Sequence, residues 1–315
     1  MRNFSEVSSV YLSQYRGMED QMPVYFCIFL IIYIIIIVAN LVLIGVIYRE
    51  KTLHEPMYLL VCNLSVNELW GSTALLPALL VNMQSGTYEM SVSSCLIQTY
   101  AIHTYAIAEF GILAVMSYDR YVAICYPLSY HTIMSQRVVK LIVLMWLYPM
   151  LAFLSVFSFT LRLSFCDRVL EKVYCVNYLL VKLSCTNTFA VNIVGLLSVV
   201  AFALPQLIMI FYSYTHILKI CLLSFIIKSK FKAFRTCTPH LLTIINYTFG
   251  CVFETVQGRF NSSHLSYHAK LILSLYFLIF PPLLNPAIYG LSNQLIRARL
   301  LKLLCRKMQP NTVNA

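Results

Sequence analysis

Four polar side chains lie in stretches otherwise suited to hydrocarbon: Asn40, Glu68, Glu109 and Asn285. A carboxylate exposed to lipid costs roughly 3 kcal/mol or more, so such groups turn inward and find partners. Glu109 precedes Arg120 by eleven residues, ~16 Å along a helix, and Glu68 stands eleven residues into its own apolar run. Both acids therefore reach much the same depth. Asn40 and Asn285 lie eight and six residues from the corresponding ends of theirs. Facing one another across a bundle, the two carboxyls can share a proton or hold a cation, with the amides beside them. No histidine–cysteine set has zinc-site spacing. No nucleophile–base pair accompanies the acids, so an enzyme is not expected and no cofactor is implied. The other reactive-looking pair is Asp119-Arg120, an acid and a base side by side at the end of an apolar run. The bland reading is an ion pair marking where the membrane ends.

Long apolar segments must position these groups. Hydrophobic residues make up 60% of the chain and charged residues 11%, against roughly 25% charged in soluble domains. Apolar spans fall near 24–48, 57–82, 95–125, 138–160, 190–219, 233–257 and 267–291, each reaching the ~20 residues needed to cross a bilayer as a helix. The expected fold is an all-α membrane protein, a seven-helix bundle over 24–291. A tail over 1–23 precedes it, and 292–315 form a short amphipathic helix and tail. Little chain remains for a soluble catalytic domain.

Orientation follows from the basic residues. Fifteen of the 23, from Arg49 and Lys51 to Arg306 and Lys307, fall on one side of this topology. By the positive-inside rule that side is cytoplasmic, placing the N-terminus outside and the C-terminus inside. The net charge of +11 then reflects topology and anionic lipid, not nucleic acid. The segment before Val24 is polar and of mixed charge, so the first span is expected to serve as an uncleaved signal anchor. No internal repeat of the kind found in transporters is visible.

Of eleven cysteines, Cys95, Cys166, Cys175 and Cys185 fall on the outer side, where an oxidising compartment favours two disulfides. Four cysteines allow three pairings, and free thiols are the alternative. Cys27, Cys62, Cys125, Cys221, Cys237 and Cys251 read as packing residues. Asn3-Phe4-Ser5 and Asn261-Ser262-Ser263 are outer sequons, whereas those at Asn63 and Asn246 lie inside spans and are discounted. Beyond Gly290, leucines alternate with Arg297, Arg299, Lys302 and Arg306, a pattern suited to a helix along the inner leaflet, and Cys305 beside it is a candidate for palmitoylation.

A ligand pocket is expected in the outer half of the bundle, between helices. Counting outward from Arg120 places His103, Ala106 and Ile107 there. Cys251, Thr255 and Arg259 recur on about one face of the sixth span, with Phe202 on the fifth and Leu275 on the seventh as further walls. For each of these, packing is the competing role. Arg259 could pair with a ligand carboxylate or snorkel to headgroups.

Four motifs in order carry a resemblance. Met116-Ser117-Tyr118-Asp119-Arg120-Tyr121-Val122-Ala123-Ile124-Cys125 closes the third span, and Pro281-Pro282-Leu283-Leu284-Asn285-Pro286-Ala287-Ile288-Tyr289-Gly290 closes the seventh. Lys232-Ala233-Phe234-Arg235-Thr236-Cys237-Thr238-Pro239-His240-Leu241 opens the sixth, and Leu53-His54-Glu55-Pro56-Met57-Tyr58 forms the first inner loop. From about Asn40 to Tyr289 the chain resembles the odorant receptors, a branch of the rhodopsin-like G-protein-coupled receptors. It departs at Ser117, Arg235, Pro239 and Glu68, the last usually aspartate. Pro281-Pro282 and Arg259-Phe260 resemble the fish-type branch, tuned to water-soluble odorants. The resemblance implies a plasma-membrane receptor for a small odorant that activates a stimulatory heterotrimeric G protein. It implies a coupling switch at Asp119, Arg120, Tyr121, Asn285, Pro286 and Tyr289, and a possible sodium site at Asn40, Glu68, Glu109 and Asn285. It also implies the pairing Cys95–Cys175, leaving Cys166–Cys185, and glycosylation of Asn3. A non-olfactory receptor for a lipid or peptide, or a transporter or channel, is the rival reading.

Overall fold

The computed structural model of the 315-residue chain describes residues 7–223, 227–257, 266–292 and 294–299, without the side chains of 227–233, 256 and 257. Asn3, Arg259, Asn261 and Cys305 lie outside the described residues. Seven long helices form the bundle: α1 (Met22–Arg49), α2 (Pro56–Ser85), α3 (Val92–Cys125), α4 (Tyr130–Thr160), α6 (Phe189–Leu223), α7 (Ile227–Gln257) and α8 (Tyr267–Ser292). A short α5 (Asn177–Lys182) lies in the connection between α4 and α6.

Each helix starts and stops for local reasons. Proline in the first turn opens α1 and α2, where its missing N–H leaves nothing unpaired. Ser91 caps α3, its hydroxyl accepting from the Ser94 N–H at 3.1 Å. Gly86, at φ +66°, ends α2 in the left-handed conformation that glycine tolerates. Rows of exposed isoleucine, valine and leucine on α1, α4 and α6 form the lipid-facing surface. Helix α3 is the most enclosed.

Six of these helices are long and apolar enough to span a membrane. The exception, α7, has the length at 31 residues but a more polar composition. His240, Thr243 and Tyr247 on it are buried, so much of its polarity serves the bundle interior.

Two segments differ from expectation. The supposed tail is folded from residue 7 onward: β1 (Ser9–Leu12) is the central strand of a three-stranded sheet between β2 (Glu89–Ser91) and β3 (Val169–Leu170). Val10 and Leu12 alternate inward, and Tyr15 and Met18 follow them into the core. Helix α4 begins at Tyr130 rather than near 138, because Tyr130 reaches back to Asp119. The two sequons discounted in spans are structural: Asn63 accepts from the Trp146 indole at 2.9 Å, and Asn246 from the Tyr276 hydroxyl at 2.7 Å. After α8, residues 294–299 are helical, Ile296 is buried, and Arg299 pairs with Glu50 at 3.0 Å.

Candidate functional site

Glu68 and Glu109, from α2 and α3, meet in the centre of the bundle, both fully buried. Asn285 Nδ2 donates to Glu68 and, at 3.4 Å, to Glu109. The Tyr105 hydroxyl donates to Glu68 at 3.2 Å, and Asn67 Nδ2 donates to Glu109 at 2.8 Å. Gly71 makes room for this arrangement: a Cβ there would lie 2.5 Å from the Tyr105 ring. Asn67 and Tyr105 were not singled out from sequence. Each lies on the same helix as an acid already identified, but only the helix phase shows that they converge.

Asn40 does not join the acids directly. Its Nδ2 donates to the Ile36 carbonyl at 2.9 Å and to the Pro282 carbonyl at 3.0 Å. Pro282 is four residues before Pro286, so its carbonyl lacks the usual helical donor. Asn40 supplies that donor from α1. The Phe277 carbonyl, four residues before Pro281, likewise accepts from Tyr105 at 3.2 Å. Side chains of α1 and α3 thus satisfy the α8 kink, while Asn285 turns to the carboxyls.

At one end of the bundle Asp119 is buried and Arg120 Nη2 approaches it to 2.5 Å. The Tyr130 hydroxyl donates to the other Asp119 oxygen at 2.8 Å. Tyr121 packs edge-on against Tyr126, Tyr212 and His216. Tyr289 is hydrogen-bonded to His240 at 3.2 Å. Arg120, His240, Tyr289 and Arg235 line a cavity of about 360 Å³ at this end.

The opposite half holds a second cavity, about 250 Å³, walled in part by the α4–α6 connection. His103, Ala106, Ile107, Phe202, Cys251 and Thr255 all line it. Leu275 does not. It is buried in the core, and Phe277, two residues and about 200° further round the helix, supplies the α8 wall. His103 is also a packed residue, stacking on Phe153 with ring centroids 4.4 Å apart and bonding the Thr99 carbonyl at 2.8 Å. Disulfides join Cys95 to Cys175 and Cys166 to Cys185, fastening the connection above this cavity to α3 and to itself. The other six described cysteines form no disulfide.

Glu254, between the predicted Cys251 and Thr255, is a charged cavity residue that sequence reasoning missed, as it missed Gln206, Asn177 and Asn192. Lys172 Nζ meets the two Glu254 oxygens at 2.6 and 2.7 Å, and the Tyr174 hydroxyl donates to one of them at 2.9 Å. An acid within the sixth span and a lysine in the outer loop before the fifth were both visible. Their meeting was not.

A chain of polar and aromatic contacts runs from the second cavity toward the first. The Tyr247 hydroxyl donates to the Ala106 carbonyl, at the wall of the second, at 2.8 Å, and its ring meets Tyr105 edge-on. Tyr105 bonds Glu68, Glu68 bonds Asn285, and Tyr289 lies one turn beyond Asn285 facing His240. Seven helices with a cavity at each end and a buried chain of polar and aromatic contacts between them make up a heptahelical membrane bundle. The olfactory receptor family profile matches residues 28–307. Olfactory receptor 1E16 of Mus musculus is 34% identical over 313 residues, covering 98% of this chain and 99% of its own. Olfactory receptor 52D1 of Homo sapiens is 36% identical over 279 residues, covering 88% and 87%. Olfactory receptor 1 of Rattus norvegicus is 34% identical over 315 residues, covering 98% and 99%. The chain belongs to the olfactory receptor family of G-protein-coupled receptors, multi-pass proteins of the plasma membrane.

Proposed function

We propose that the chain binds a small odorant in the 250 Å³ cavity and activates a stimulatory heterotrimeric G protein through the Arg120 end. The chain of polar and aromatic contacts between the two cavities is the observation that carries this reading. A ligand that moves α3 or α7 at Ala106 and Tyr247 shifts Tyr105, and with it the Glu68–Asn285 contact above Tyr289. The cavity is smaller than the ~300–1,000 Å³ of drug-sized sites, which favours a small ligand. The disulfide-bearing end faces outside, with the C-terminus cytoplasmic, in keeping with the excess of basic residues at the other end.

Asp119, Arg120, Tyr121, Asn285, Pro286 and Tyr289 form the coupling switch in this reading. In the resting state Asp119 holds Arg120, and activation frees it toward the G protein. The oxygen-rich centre suits a hard cation: Asn67 and Asn285, which bond the two carboxyls, each keep an unpartnered Oδ1. Glu68, Glu109 and Asn285 would hold sodium, with Asn40 beside them, or the two acids share a proton.

Arg120→Ala tests the coupling half. It should retain ligand binding and lose ligand-stimulated cyclic AMP at unchanged surface level. A variant that still raises cyclic AMP to the unmutated level would remove Arg120 from the switch.

A further inference from the structure

The polar atoms of the ligand cavity and the charge state of its wall suggest a ligand chemistry, given the odorant-receptor reading above. We propose that the cavity selects a neutral ligand bearing a hydroxyl donor, a small alcohol, and that Lys172 determines this selectivity by neutralising Glu254.

The lining is rich in acceptors. Gln206 spends an amide N–H on the Ile107 carbonyl at 3.4 Å, while its Oε1 is buried without a partner. His103 donates from Nδ1 to a backbone carbonyl, which in the neutral ring leaves Nε2 as an acceptor. The Thr255 hydroxyl gives its proton to the Cys251 carbonyl at 2.8 Å and keeps lone pairs. Glu254, an acceptor with about four lone-pair sites, receives two bonds from Lys172 and one from Tyr174. One site on Oε2 remains. Asn177 and Asn192 bring amide groups to the wall, but neither brings a positive charge.

Charge narrows the choice further. Among the described lining residues there is no lysine or arginine, and the cation beside the cavity, Lys172, is committed to Glu254. The pair is mostly buried, at 5% and 12% side-chain exposure, where an added unit charge is poorly screened. A carboxylate ligand would be the second anion beside one cation. An ammonium ligand would be the second cation beside one anion. Aldehydes, ketones and esters are neutral but have no proton to give to Glu254, Gln206 or His103. An alcohol satisfies an acceptor and leaves the charge balance intact.

The test uses the full-length receptor in cells with a cyclic AMP readout, and the purified receptor in a thermal-shift assay. The probes are n-alkanols, n-alkanals, n-alkanoates and n-alkylammonium ions of five to eight carbons. The alkanol of the best chain length should act at roughly tenfold lower concentration than its three counterparts, the scale of one hydrogen bond to a charged group. In Lys172→Gln the alkylammonium ion should gain on the alkanol. If that variant does not reach the surface, Lys172→Gln combined with Glu254→Gln leaves neither charge orphaned. Discrimination against both ions should then persist, because the wall is as neutral without the two charges as with them. An alkanal or alkanoate equal to the alkanol, an alkylammonium ion preferred by the unmutated receptor, or an ion that gains on the alkanol in the double variant would each overturn the inference. So would silence toward all four classes from a receptor that answers other odorants. Thermal stabilisation by the alkanol without any cyclic AMP response would sustain the cavity chemistry and count against the signalling reading.

Discussion

Two groups of buried acids, one at the cavity wall and one at the centre of the bundle, are balanced in opposite ways. Glu254 has its counter-ion built in: Lys172 lies 2.6 Å away and Tyr174 adds a further bond. Glu68 and Glu109 have amides and a phenol around them, and no cation among the described partners. The first group is self-contained, and disturbing it orphans a charge. The second depends on something brought from outside, a proton or a metal ion, and can therefore respond to its surroundings. A buried acid paired with a lysine acts as a fastener, whereas a pair of acids without one is suited to switching.

The largest effect should come from breaking the fastener. Glu254→Gln leaves Lys172 buried without its partner, at a cost of ~3–5 kcal/mol. Thermal melting of the purified receptor should fall steeply, with surface expression following. An unchanged melting temperature would show that Lys172 escapes to water and that the pair is not structural. Cys175→Ser loosens the same region three residues beyond Lys172, where losing a native disulfide commonly costs ~2–5 kcal/mol. Surface expression should collapse, while Cys221→Ser should be mild. Equal behaviour of the two serine variants would argue against the Cys95–Cys175 bond as the anchor.

At the centre the expected sign differs. Glu68→Gln orphans no cation and keeps an acceptor for Asn285, so stability should change by only about 1 kcal/mol. Basal signalling should rise if a sodium ion favours the resting bundle, and any sodium dependence of agonist affinity should vanish. Agonist affinity in the unmutated receptor that stays constant when sodium is replaced by N-methylglucamine would exclude the ion. The proton would then be tested by titrating basal activity against pH. Asn40→Ala strands the Pro282 carbonyl, at a cost of ~1–3 kcal/mol. Basal activity should change more than surface expression. The reverse order would make Asn40 a packing residue.

Much of this was legible from sequence because the bilayer imposes length and polarity on each span. Counting 1.5 Å per residue from Arg120 was enough to bring Glu68 and Glu109 to one depth. Glu254 escaped notice because its partner lies 82 positions away in a loop, beyond any helical periodicity. The sheet escaped because its strands have four, three and two residues, too short for alternation to register. The prolines announced freed carbonyls in α8. That Asn40 and Tyr105 would claim them, while Asn285 served the acids, depended on how three helices are rotated against one another. Leu275 is absent from the cavity wall for the same reason, since the azimuth of α8 is not legible in the sequence.

The central position of β1 gives the molecule a biosynthetic timetable. Ser9 pairs with Ser91 and Tyr11 with Val169, so the strand made first by the ribosome waits for about 80 residues for one neighbour and about 160 for the other. Pairings so distant along the chain close late, because the entropy of joining them is lost before any contact repays it. The sheet is then completed only after four of the seven helices have been made. A label fused just ahead of Ser9 would burden that later pairing, not the first helix.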